Sequence, residues 1–233
     1  MKILVTGGSK GIGKAIIEEL NSIGDVYAVA RNEELLKQLN IAGYFVCDLS
    51  VDCNKLCSYI NEMKFDIIVN NAGEYIYGGI ETMTDEQICH IYETNLLAPV
   101  RIISSGVKYM KEQGFGRIIN IGSISGVMGE AYASLYSSTK SGLIGLSKAL
   151  ALELAEYNIT VNTINPGWVE TELGNDSVEE SDFTKEEIIE CIPQKRFVKP
   201  EEVAKLVKYL VSEDAKGITG QSINICAGLS VGI

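Results

Sequence analysis

No stretch of this 233-residue chain stays apolar long enough to span a bilayer. Basic residues are in the minority, with 20 Lys and Arg against 31 Asp and Glu, a formal charge of −11. That balance argues against nucleic acid or an anionic membrane as the main partner. There is one histidine, His90, and no CxxC pair among the six cysteines, Cys47, Cys53, Cys57, Cys89, Cys191 and Cys226. Neither a zinc site nor a disulfide framework is expected from that pattern, and the thiols read as reduced ones in a cytoplasmic protein. Cys53 and Cys57 share one helical face and are expected to pack. His90, on a polar helix, reads as a surface or interface residue. No signal peptide is expected, because Ile3-Leu4-Val5 already reads as a strand entering a glycine loop. No internal repeat, low-complexity tract or linker divides the chain, so residues 1–233 read as a single domain.

What is present is an alternation of short apolar runs with helical patterns from end to end. The runs are Lys2–Thr6, Asp25–Ala30, Gly43–Cys47, Phe65–Asn70, Gly116–Gly122, Ile159–Ile164 and Ser222–Cys226. Continuously apolar strands separated by helices indicate an α/β fold, a parallel sheet covered on both faces.

The first turn, Thr6-Gly7-Gly8-Ser9-Lys10-Gly11-Ile12-Gly13, follows a strand and opens a helix over residues 12–22. In that context glycines let the backbone approach a pyrophosphate, whose charge meets the helix N-terminus. About 20 residues further on, a dinucleotide site usually carries a ribose-reading side chain at the end of the second strand, and an acid there selects NAD. This chain has Arg31 after the neutral Ala30, and Lys10 adds a second cation. The pair suits a 2′-phosphate, hence NADP(H). Glu33 and Glu34 belong instead to the first turn of a helix capped by Asn32. Asp48 is placed either to meet the adenine end or to cap the next helix. Asn70-Asn71-Ala72-Gly73 closes the fourth strand with small residues, leaving room for a flat ring, and its asparagines can tie strands together.

Thr84-Asp-Glu-Gln87 is a capping box that opens a long helix. Pro99 lies four residues after Asn95, so the Asn95 carbonyl loses its helical donor and becomes able to hold a water. Ser123 follows the fifth apolar run, and Tyr136 and Lys140 are spaced to share one face of a helix. A hydroxyl at a strand end and a phenol near a helix start can meet one carbonyl oxygen. A neighbouring ammonium is expected to lower the phenol pKa from its ordinary value near 10. The same helix runs on in small and aliphatic residues that could serve as a seam between subunits. Asn158 reads as a left-handed cap before the sixth strand. Asn165-Pro166-Gly167 offers backbone groups to a nicotinamide carboxamide, and Thr171 is within reach of the phosphates. Leu49, beside Asp48, and Val169, between Gly167 and Thr171, complete the expected cofactor contacts. Residues 172–198, acidic at first, read as a substrate flap or as a solvated helical excursion. The apolar tail from Ala227 to Ile233 suggests burial against another subunit.

Taken in order, Thr6-Gly-x3-Gly-Ile-Gly13, Asn70-Asn-Ala-Gly73, Asn95, Ser123, Tyr136-x3-Lys140 and Asn165-Pro-Gly167 resemble the short-chain dehydrogenase/reductase family in its compact single-domain branch. The resemblance covers the whole chain. It implies a seven-stranded doubly wound sheet in the order 3-2-1-4-5-6-7, an Asn95–Ser123–Tyr136–Lys140 tetrad, NADP(H), a small-molecule ketone or alcohol substrate, and a homotetramer. It implies hydride transfer from NADPH to a ketone with Tyr136 as general acid, and with Tyr136 and Lys140 also holding the nicotinamide ribose. The stretches Ile192–Val203 and Ile218–Asn224 are most similar to 3-oxoacyl-(acyl-carrier-protein) reductases, which points to a 3-oxoacyl thioester. Lys111-Glu-Gln-Gly114, Glu156-Tyr-Asn158 and the acidic flap stand where those reductases carry basic residues, and like charges oppose docking of an acidic carrier. A polyol, steroid or other small ketone therefore stays open as substrate. A cofactor sensor without catalysis fits poorly with an intact tetrad.

Overall fold

The computed structural model describes residues 1–181 and 183–231. Seven strands form one parallel sheet: β1 (Lys2–Thr6), β2 (Asp25–Ala30), β3 (Gly43–Val46), β4 (Ile67–Asn70), β5 (Gly116–Ile121), β6 (Ile159–Pro166) and β7 (Ser222–Ile225). Their order is β3-β2-β1-β4-β5-β6-β7. The order reverses between β1 and β4, and such a switch point opens a crevice at the strands' carboxyl ends. Every residue of β4, β5 and β6 is buried, because helices cover both faces.

The helices are α1 (Gly11–Leu20), α2 (Glu33–Lys37), α3 (Asn54–Met63), α4 (Asp85–Tyr92), α5 (Ala98–Gln113), α6 (Ser125–Met128), α7 (Ser134–Leu154), α8 (Glu172–Glu180), α9 (Lys185–Cys191) and α10 (Pro200–Val211). On one face Ile16, Leu20, Val203, Val207 and Leu210 of α1 and α10 close over Ile3, Val5 and Ile119. On the other, Leu56, Ile60, Ile102, Met110 and Leu154 of α3, α5 and α7 cover Leu4, Ile68 and Val161. Ordinary start and stop signals set the boundaries. Asn32 accepts from the Leu35 N–H, and Thr84 and Gln87 form the capping box of α4. Asn158 adopts φ 57° ahead of β6. β6 runs on through Pro166, beyond its expected end at Ile164, because residues 163–166 still pair with β7.

The break around Pro99 takes a form other than a simple kink. Residues Glu93–Leu97 widen into a π turn, with the Ala98 N–H donating to the Glu93 carbonyl, and α5 restarts with Pro99 in its first turn. The widened turn absorbs the missing donor without ending the helical path.

The flap is helical. Thr171 caps α8 by accepting from the Gly174 N–H, and Thr184 with Glu187 forms a capping box on α9. A bridge between Val169 and Val198 ties its two ends together. Asp182, within the expected flap, lies outside the described residues. So do Gly232 and Ile233 of the apolar tail, whose preceding Val231 is exposed. No helix among the described residues is long and apolar enough to cross a membrane.

Candidate active site

A cleft of ≈ 1600 Å³ opens along the carboxyl ends of the strands. Its far end is built by the glycine turn. Gly7 has φ +64°, and a Cβ there would meet Ala72 Cα at 2.8 Å; a Cβ on Gly13 would strike the Gly7 carbonyl at 2.1 Å. Only glycine fits where the turn folds this tightly onto α1. Asn71 pins the turn, its Nδ2 donating to the carbonyls of Thr6 and Gly7 at 3.0 and 3.1 Å. Lys10 precedes α1 in extended conformation and no side chain caps that terminus, so its first N–H groups can face an anion.

The expected cofactor residues Gly7, Ser9, Lys10, Gly11, Ile12, Arg31, Asp48, Leu49, Asn71, Ala72, Gly73, Pro166, Gly167, Val169 and Thr171 all line this cleft. Gly13 does not line it and serves inside the turn. Both cations expected to read a phosphate carry acidic partners, Lys10 with Glu172 at 2.5 Å and Arg31 with Glu74 at 2.7 Å. Glu74 also contacts His90, whose side chain stays 38% exposed. Asp48 accepts from the N–H and the hydroxyl of Ser50 at 3.0 and 2.6 Å, and these bonds hold its carboxyl below the usual range. It closes a local turn while facing the cleft. The following helix has Cys53 at its N-cap with no capping side chain, and the Asp52 carboxylate just before it accepts from the Asn54 N–H at 2.7 Å.

Ser123, Tyr136 and Lys140 line the near end, and Asn95 stands behind them, completely buried. The Asn95 amide is fully engaged. Its Oδ1 accepts from the Glu74 N–H at 2.8 Å, and its Nδ2 donates to the Glu74 carbonyl at 2.8 Å and to Thr139 Oγ1 at 3.3 Å. Its side chain therefore braces the loop after β4.

Lys140 Nζ donates to the Ile121 carbonyl at 2.9 Å and lies 5.5 Å from the Tyr136 ring centroid. Burial drops the Lys140 ammonium to about 8. Burial also pushes the Tyr136 phenol up to about 12, opposed by the Ser123 hydroxyl and reinforced by the Glu130 carboxylate. The expected lowering of Tyr136 by Lys140 is thus replaced by the opposite. Desolvation of the phenolate dominates, and the Lys140 ammonium is directed at the Ile121 carbonyl rather than at the phenol oxygen.

Ser125, Glu130, Tyr75, Tyr77 and Tyr132 also line the cleft and were not singled out from the sequence. The Ser123 hydroxyl donates to Ser125 Oγ at 3.1 Å, and Ser125 donates to Glu130 Oε2 at 2.6 Å. The Tyr75 hydroxyl donates to Glu130 Oε1 at 2.8 Å, and the Tyr75 ring meets that of Tyr136 edge-on with centroids 5.1 Å apart. The only available signal was the run of tyrosines directly after Gly73. Burial pushes the thiols of Cys47 and Cys53 up to about 11, as inert packing groups, and no metal-ligating cluster is found among the described residues.

The close glycine turn, the uncapped helix and the long cleft between them and Tyr136 fit a nicotinamide dinucleotide.

Comparison with known proteins identifies the family. The family model described as short chain dehydrogenase matches residues 1–182. A 3-oxoacyl-(acyl-carrier-protein) reductase of Rickettsia felis is 37% identical over 234 residues, covering 97% of this chain and 95% of the relative. The crystal structure of a single-substitution variant of the actinorhodin polyketide ketoreductase with NADPH superposes with a TM-score of 0.92 at 35% identity, over 99% of this chain and 97% of that one. The ligand-free aldohexose dehydrogenase of Thermoplasma acidophilum gives 0.91 at 28% identity, over 100% and 94% of the two chains. On its sequence and its fold, the chain belongs to the short chain dehydrogenase family of oxidoreductases.

Proposed function

We propose that the protein reduces a ketone with NADPH, and that Tyr136 is the general acid. The observation that carries this reading is the placement of Ser123, Tyr136 and Lys140 at one end of a cleft whose other end presents Lys10, Arg31 and the open N-terminus of α1. NADPH, when bound, supplies the hydride. Every other part falls to side chains of this chain.

Ser123 and Tyr136 bind the carbonyl oxygen and fix which face of the carbon is presented. Their hydroxyls stabilise the negative charge that develops on that oxygen, a contribution that commonly dominates such steps. With its pKa near 12, Tyr136 stays protonated throughout the neutral range, which suits a proton donor. A developing alkoxide is more basic still, so transfer from the phenol runs downhill. Lys140, near 8, is mostly protonated at neutral pH yet close enough to it to pass a proton on. It returns a proton to Tyr136 from solvent, by way of water held at the Asn95 main-chain carbonyl, and it also holds the nicotinamide ribose.

The named relatives include 3-oxoacyl and polyketide reductases, so a 3-oxoacyl thioester-like ketone is the first substrate to test. Glu172, Asp176 and Glu190 border the cleft and repel an acidic carrier, which favours a small or unattached substrate. A second reading, a small hydroxylated ketone, rests on the Glu130 carboxylate facing the same cleft. Self-association into a homotetramer belongs to the same proposal, supported by the 87% exposure of Leu152 on α7. The test is NADPH oxidation with acetoacetyl-N-acetylcysteamine and a panel of small ketones. Turnover of at least one is expected, and no turnover of any would refute the reading.

A further inference from the structure

Glu130 takes no part in the hydride and proton transfers described above, yet its carboxylate faces the same cleft. It sits on a loop between α6 and α7 that is pinned by two hydrogen bonds. The Ala133 N–H donates to the Glu130 carbonyl at 3.2 Å, and the Gly78 N–H donates to the Tyr132 carbonyl at 2.7 Å. The first bond is internal to the loop, and the second ties it to the tyrosine-bearing segment after β4. The carboxylate has two donors, Ser125 and Tyr75, one on each oxygen. A carboxylate offers about four acceptor sites, so two donors leave it able to take a third. Each donor also bears on a residue that grips the ketone. The Ser125 N–H donates to Ser123 Oγ at 3.1 Å, and Tyr75 stands edge-on to Tyr136. Glu130 is therefore two hydrogen bonds from Ser123, on the substrate side of the cleft. Around it Tyr77 packs against Tyr75 and Tyr132, with centroids 6.5 and 5.6 Å apart, giving flat apolar walls.

Resting on the ketone-reductase reading, we propose that Glu130 determines substrate specificity. It accepts a hydrogen bond from a hydroxyl carried a few bonds away from the reacting ketone, and it rejects substrates with a carboxylate in that place. The tyrosine rings cover the carbon skeleton between the two groups. A charged acceptor recognises a neutral donor strongly because the bond is charge-assisted, and it excludes an anion because two carboxylates would share one partly desolvated site.

The test uses three ring ketones of one shape, cyclohexanone, 4-hydroxycyclohexanone and 4-oxocyclohexanecarboxylate, with acetoacetyl-N-acetylcysteamine as a fourth probe. In the wild type, kcat/KM for the hydroxyketone exceeds that for cyclohexanone by about tenfold or more, the value of a hydrogen bond to a charged group. The oxo-acid falls below both. In Glu130→Gln the hydroxyl preference shrinks several-fold and the oxo-acid gains on cyclohexanone. A merely structural role for Glu130 would lower all substrates together and leave the ratios unmoved, and that result overturns the proposal. A wild type that does not prefer the hydroxyketone overturns it too, whatever the variant does. Turnover of the thioester with no turnover of any ring ketone overturns the inference and leaves the reductase reading standing. Turnover of none of the four defeats both.

Discussion

Arg31 and Glu74 form an ion pair at 2.7 Å, between a guanidinium at the end of β2 and a carboxylate just beyond the Asn-Asn-Ala-Gly segment. The Arg31 side chain is 61% exposed, and pairs of that kind contribute at most about 1 kcal/mol. A cofactor phosphate arriving at Arg31 can therefore displace Glu74, which keeps His90 as an alternative partner. Glu74→Gln removes the competitor, and NADPH affinity is expected to tighten by about threefold. Arg31→Asp is expected to weaken NADPH far more than NADH. Fluorescence titration of both cofactors reads the two effects, and an unchanged NADPH/NADH ratio in Arg31→Asp would remove Arg31 from the phosphate site.

Lys140 sets a pH limit. Its buried amine loses its proton near pH 8, so reduction rates are expected to be level below that value and to decline above it. The sign for stability is the reverse. A lysine whose folded pKa lies below its unfolded value near 10.5 destabilises the fold fully below pH 8, and that cost fades as pH rises from 8 towards 10.5. Lys140→Met is accordingly expected to abolish activity while raising the midpoint of thermal unfolding at pH 7. Equal or lower stability of the variant at that pH would show that the bond to the Ile121 carbonyl outweighs the cost of burying the charge.

Asn95 is a brace as well as a neighbour of the site. Asn95→Leu removes the partners of the half-buried Glu74 N–H and carbonyl and places an apolar side chain at a fully buried position. A loss of about 2–3 kcal/mol is expected in urea unfolding, together with reduced turnover as the loop after Gly73 shifts. Wild-type stability in this variant would mean that the loop finds other partners.

Leu152 is the clearest apolar residue left open on α7. Leu152→Glu is expected to shift a tetramer to smaller species in light scattering. A wild-type protein that is monomeric at micromolar concentration would remove the assembly from the proposal.

The sheet was legible in the sequence because runs such as Phe65–Asn70 and Gly116–Gly122 have no other stable use between helices, and they contain the observed strands Ile67–Asn70 and Gly116–Ile121. The site was legible wherever chemistry depends on local spacing. The glycine turn and Tyr136 with Lys140 belong here, as does the break at Pro99, although its form as a π turn was not foreseen. Contacts between segments distant along the chain were not legible. Nothing near Arg31 or Lys10 announces that Glu74 and Glu172 will pair with them, since both pairs form only when the sheet brings separate loops together. The same holds for the contact of Glu130 with Tyr75, which lies beyond a different strand, whereas its other donor, Ser125, is a near neighbour in the chain. The direction of the Tyr136 shift was misjudged for a related reason. Spacing reveals that an ammonium is near, but burial depends on everything packed around it.

The most direct test of Tyr136 as general acid is the turnover of Tyr136→Phe with saturating NADPH and a ketone that the wild type reduces, with NADPH binding measured in parallel. A fall in kcat of about 10²-fold to 10⁴-fold with cofactor binding retained is expected. A variant that keeps most of the wild-type rate would contradict the role given to Tyr136.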